Sequence, residues 1–240
     1  MSDVTETASR RAPGRVPMRR PVRPTVFSVA DGAPRPRWRG RLHLGGFLLS
    51  LPVIPAMVWL ADSPTAVVGL VVYGLSLVGL FGTSAAYHLL ARTHRAQRIM
   101  RRLDHSMIFV QIAGTYTPVC LLALPPAWGR PILVAIWASA ALGVAVKLLA
   151  GDWLLQVSNV LYVALGWIAI VALPVIVANL SGGEFMLLVV GGVLYTIGAV
   201  LFYCQRPRLH PAVFGYHEVW HGFTVLAALA HLGMVWSVAS

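Results

Sequence analysis

His217 and His221 stand four positions apart in a long apolar stretch, and Ser84 and His88 repeat that spacing in another. On a helix, residues i and i+4 lie about 40° apart in azimuth and one turn apart along the axis. Both histidines of the first pair can therefore ligate one ion, and His88 is the third ring expected to join them. Three imidazoles with a fourth position left to water are a familiar zinc set, so the metal candidates are His88, His217 and His221 and the expected cofactor is a zinc ion. Zinc lowers the pKa of bound water to about 7 and makes hydroxide available near neutrality. Asp104 is the carboxylate expected to orient that water or take its proton. Ser84 is the hydroxyl expected to hydrogen-bond the water, the metal ligands or a substrate carbonyl. Asp104 and Ser84 are thus the catalytic candidates.

Each of these residues also has a plainer role. A lone histidine in a membrane often makes only a helix-to-helix hydrogen bond. Asp104 would suit the acid at a helix N-terminus, and Ser84 would suit a bond back to a helix carbonyl. His231 lies ten residues beyond His221, about 15 Å along a helix, too far for the same ion and suited to an internal hydrogen bond. His43, His94, His105 and His210 fall at helix ends or in loops and read as interfacial, with His105 adjoining Asp104. His217-Glu218-Val219-Trp220-His221 also matches the H-E-x-x-H zinc-protease helix, in which Glu218 would be the general base. The remainder of the long protease pattern is missing, because Thr224 and Ala227 stand where its Gly and third His would be. The only Asp-Gly pair is Asp31-Gly32, far from any apolar run. A protease is therefore the weaker reading, and Glu218 is left as a group supporting the ligands.

The elements that must position these groups are membrane spans. The chain has 240 residues, 58% of them hydrophobic and 11% charged, with a mean hydropathy of +0.73. Soluble domains carry about 25% charged residues, so the bilayer is the expected solvent. Seven apolar runs, at about 43–61, 66–90, 105–124, 131–149, 155–178, 184–204 and 213–237, are each long enough to cross it. The fold class expected is an all-α integral membrane protein, a seven-helix bundle over residues 42–237. Residues 1–41 read as a disordered basic tail, with Arg35-Pro36-Arg37-Trp38-Arg39 resting on lipid headgroups.

The net charge of +11 is concentrated in ten arginines from Arg10 to Arg41 and five more from Arg92 to Arg102. These flank spans, which favours anionic lipid over nucleic acid as the partner. The tail, the Arg92–Arg102 loop, the Lys147–Asp152 turn and the Arg206–Arg208 loop hold nearly all the Lys and Arg. The positive-inside rule then puts the N-terminus in the cytoplasm and the C-terminus outside, in a multi-pass plasma-membrane protein. In that topology the second span ends, the third begins and the seventh begins on the same side. His88, Asp104, His217 and His221 are thereby brought to one depth, where ionisable groups are costly and usually functional. Gly74, Gly79, Gly82, Gly191 and Gly198 suit close helix contacts. Cys120 and Cys204 are too few for a disulfide framework and read as packing residues.

Three blocks resemble the hemolysin III family, bacterial relatives of the progestin and adipoQ receptors. They are Ser84-Ala85-Ala86-Tyr87-His88; Asp104 to Phe109 with Ala113-Gly114-Thr115-Tyr116-Thr117-Pro118; and Phe214 to His221, followed by His231. The resemblance implies a seven-helix fold with an intracellular N-terminus. It implies zinc on His88, His217 and His221, with Ser84 and Asp104 near the bound water. It also implies kinship with alkaline ceramidases and other membrane hydrolases. A zinc-dependent hydrolase of lipid amides or esters, acting on membrane lipid, is the leading expectation. A receptor or sensor with structural zinc and a cytolytic protein are the alternatives.

Overall fold

A computed structural model describes residues 35–149, 161–210 and 212–240. Seven helices are long and apolar enough to cross a membrane: α1 (Arg41–Trp59), α2 (Pro64–Leu90), α3 (His94–Ala123), α4 (Pro126–Leu149), α5 (Leu161–Asn179), α6 (Gly182–Tyr203) and α7 (Tyr216–Ala239). No strand occurs among the described residues. Most of the tail expected over 1–41 lies outside the described residues, as does the turn at 150–152. Residues 35–40 are described, and they fold against the bundle.

Short polar signals set the helix starts. Ser63 accepts the Ala66 N–H at 3.1 Å and Pro64 fills the first position of α2, where no N–H is needed. Thr93 caps α3 in the same way, accepting from Ala96 N–H at 3.1 Å. Ser181 and Glu184 form a reciprocal capping box at α6.

The Thr93 cap corrects an expectation. α3 begins at His94, so most of the stretch read as the Arg92–Arg102 loop is helix. Its arginines are good helix formers, but they hide the helix from a hydropathy reading. Asp104 therefore sits in the third turn rather than at the helix start, and its role as an N-terminal acid is excluded. α4 likewise starts at Pro126 and carries Pro131 inside it. Beyond Pro118, α3 loosens into a π turn over Val119–Ala123, closed by Leu124 N–H to Val119 O at 3.1 Å.

α3, α2 and α7 are the most enclosed helices, with 56%, 50% and 44% of their most apolar stretch buried, and they form the centre of the bundle. Tyr73 donates to Ala228 O at 3.3 Å and joins α2 to α7. Ser76 donates to Gln111 Oε1 at 2.9 Å and joins α2 to α3. Glycines allow the close approach: a Cβ on Gly82 would meet the Phe47 ring at 3.0 Å, and one on Gly198 would meet Phe223 Cβ at 2.7 Å. Of the two cysteines, Cys120 is buried as expected, while Cys204 is exposed at the end of α6 and packs nothing inside.

Candidate metal centre

His88 lies in the last turn of α2, and His217 and His221 lie in the first two turns of α7. One nitrogen from each of these residues falls within 4.8 Å of the other two. The ring centroids form a triangle with sides of 4.7, 4.8 and 5.0 Å. His88 Nε2 and His217 Nε2 are 3.2 Å apart. Two ligands each about 2.0–2.1 Å from a tetrahedral ion would stand roughly 3.3 Å apart, so this spacing fits a shared cation as well as a direct N–H···N bond. His221 Nδ1 is buried without a partner. The donor set, the spacing and that orphaned nitrogen all fit an imidazole-bound ion of the zinc type.

Ser84 lies one turn from His88 on α2 and is almost fully buried. The α2–α3 register places Asp104 relative to it. Gln111 is bonded to Ser76, and Gly79 faces the Met107 side chain. Continuing this antiparallel pairing carries Asp104, three residues before Met107, toward the end of α2 that holds Ser84 and His88. Asp104 lies inside α3 rather than opening it, because the helix starts ten residues earlier. Its Oδ2 is 3.5 Å from His105 Nδ1.

Glu218 is fully buried and both its oxygens are engaged. Oε2 accepts the Gly215 N–H at 2.7 Å, closing the N-terminus of α7. Oε1 accepts from Arg39 Nε at 2.5 Å. In the protease motif this glutamate activates water; here it is a structural acid at a helix end, where a negative charge is favoured. His231 donates from Nε2 to Leu188 O at 3.3 Å, the internal hydrogen bond expected of it, and Gly191 leaves the space its ring fills.

His43 departs from expectation. Read as interfacial, it is buried on α1 with its ring stacked on His221, centroids 3.8 Å apart and planes 7° from parallel. Both of its nitrogens are buried without partners. The signal that could have found it was the topology itself, since α1 starts on the side where α2 ends and α7 begins. Tyr87 and Phe202 complete an aromatic wall, with ring centroids 4.5 Å from His88 and 5.2 Å from His217. Their contribution was not legible in the spacing of polar residues.

A family model described as haemolysin-III related matches residues 32–232. A Bacillus subtilis (strain 168) protein named hemolysin-3 homolog is 33% identical over 187 residues, covering 76% of this chain and 84% of that protein. The Bacillus cereus protein named hemolysin-3 is 33% identical over 186 residues, covering 76% of this chain and 82% of its own.

Proposed function

The chain belongs to the haemolysin-III related family of multi-pass membrane proteins, and on that footing we propose that it is a zinc-binding membrane hydrolase acting on an amide or ester bond of a lipid. The observation that carries this reading is the convergence of His88, His217 and His221, with their nitrogens within 4.8 Å of one another, one helical turn from the buried Ser84. When bound, zinc supplies Lewis acidity and a water acidified toward neutrality. Asp104 takes the proton from the attacking water. Ser84 holds the water or the substrate carbonyl by a hydrogen bond. The aromatic wall of Tyr87 and Phe202 keeps bulk water from the rings. The basic connections support a site near the cytoplasmic leaflet.

The test uses purified protein in lipid nanodiscs. Metal content is measured for wild type and His217→Ala, and fatty acid release from a panel of ceramide-like lipids is measured for wild type and Asp104→Asn. About one zinc per chain lost in His217→Ala, with release lost in Asp104→Asn, supports the reading. Release that persists in Asp104→Asn removes Asp104 as the base.

A second reading is a receptor or sensor in which the metal is structural. It is favoured by the ligands' origin, because one ion would staple the end of α2 to the start of α7. Metal loss that lowers the melting temperature, with no lipid hydrolysed by wild type, selects it. The relatives' name suggests lysis, but a conducting pore needs rings of polar residues. The buried polar side chains of α2 instead bond across the packed centre, Ser76 to the Gln111 side chain of α3 and Tyr73 to the Ala228 carbonyl of α7.

A further inference from the structure

The six residues before α1 touch both ligand-bearing helices. Arg35 Nη1 donates to His88 O at 2.6 Å and Nη2 donates to Ala91 O at 3.2 Å, satisfying carbonyls that the end of α2 leaves open. Arg37 N–H and Trp38 N–H donate to Ala212 O and Val213 O, both at 3.2 Å, pinning the segment to the approach to α7. Arg39 pairs with Glu218, the residue following the ligand His217. Gly40 turns the chain into α1 at φ 79°, a conformation glycine adopts without strain, and it lies directly on His88. A Cβ there would stand 2.7 Å from His88 Cβ.

We propose that residues 35–40 are a clamp that positions the metal ligands, with Arg39 as its main positioning residue; this rests on the reading that the three histidines hold an ion. The clamp fixes the two ligand-bearing ends by different means. On α2 it holds the backbone of His88 from one side through Arg35 and packs on its Cβ from the other through Gly40. On α7 it holds Glu218, whose second oxygen closes the helix N-terminus. The Arg39–Glu218 pair is neutral overall, so it locks the helix without opposing a cation with a lone positive charge. The part nearest α1 of a segment that hydropathy assigns to the tail thereby belongs to the metal centre.

The experiment uses the full chain in nanodiscs and compares wild type with Arg39→Lys, Gly40→Ala and the double variant Arg39→Ala/Glu218→Gln, which removes both charges and strands neither. Zinc affinity is read by chelator competition, ligand geometry by the visible absorption of the cobalt-loaded protein, and fold by thermal melting without metal. The double variant and Gly40→Ala are expected to bind zinc about 10- to 100-fold more weakly, as for other groups that orient ligands, with an altered cobalt spectrum. Arg39→Lys is expected to recover most of the affinity. Wild-type affinity and an unchanged cobalt spectrum in the double variant would overturn the clamp, even if its melting temperature fell. If the double variant does not fold, Gly40→Ala decides by the same two readings. A wild-type chain that takes up neither ion overturns the metal reading and the clamp together, an outcome distinct from failure of the clamp alone.

Discussion

The ring of His43 lies flat on the ring of His221, although one belongs to the first span and the other to the last. Stacking sets the plane of His221 without using its nitrogens, and its Nδ1 is buried without a partner. The arrangement buries both His43 nitrogens unpartnered, which costs stability. His43→Phe keeps the flat face and removes that cost. Its metal content is expected to equal that of wild type, with a melting temperature unchanged or higher. His43→Ala opens a gap, and is expected to cost about 2 kcal/mol and to lower metal content. Thermal melting and metal analysis of the two variants check this.

Metal binding separates the histidines of α7. His221→Ala and His88→Ala are expected to reduce bound zinc to below about a tenth of the wild-type amount, since each removes one of three ligands. His231→Ala is expected to leave it unchanged, because that ring is bonded to Leu188 O well away from the triangle. Metal analysis of matched preparations gives the answer directly.

Glu218 and Asp104 are expected to respond oppositely to loss of charge. Glu218→Gln still accepts the Gly215 N–H but strands Arg39, so the melting temperature falls, by about 3 kcal/mol of stability if the pair is fully enclosed. Arg39 is 22% exposed, which reduces that figure. Lipid hydrolysis per folded, zinc-loaded molecule is expected to persist. Asp104→Asn is expected to fold normally and hydrolyse nothing. Activity measured against the fraction folded and zinc-loaded distinguishes the two residues, and loss of hydrolysis in zinc-loaded Glu218→Gln would restore the protease-like base.

Gly191 tests packing away from the metal. A Cβ at this position would enter the His231 ring. Gly191→Ala is expected to destabilise the bundle by about 1–3 kcal/mol through overpacking, with zinc content unaltered. A parallel variant, Gly166→Ala, where an added Cβ meets nothing within 4 Å, is expected to be neutral. Thermal melting of both variants measures the difference.

The spans, and the convergence of His88, His217 and His221, were legible from residue order because both depend on local rules. Twenty apolar residues make a crossing in any context, and i, i+4 spacing aligns side chains on any helix. Asp104 was legible as a candidate, but its place inside α3 was not. Hydropathy does not register the arginine-rich start of α3, and that start puts ten helical residues ahead of Asp104. Glu218 carried a motif whose chemistry depends on what its oxygens touch, and the motif is silent about Arg39.

By itself the sequence determined that this chain is a bundle of membrane helices whose topology collects His88, His217 and His221 at one end. Periodicity, hydropathy and charge placement are properties of neighbouring residues, and they survive without knowledge of the fold. The tertiary structure decided which other residues share that end. The stacking of His43 on His221, the commitment of Glu218 to Arg39 and Gly215, and the seating of Gly40 on His88 join residues far apart in the chain. Contacts of that kind depend on how helices rotate and approach, which is fixed by packing across the whole bundle rather than by any local run of residues.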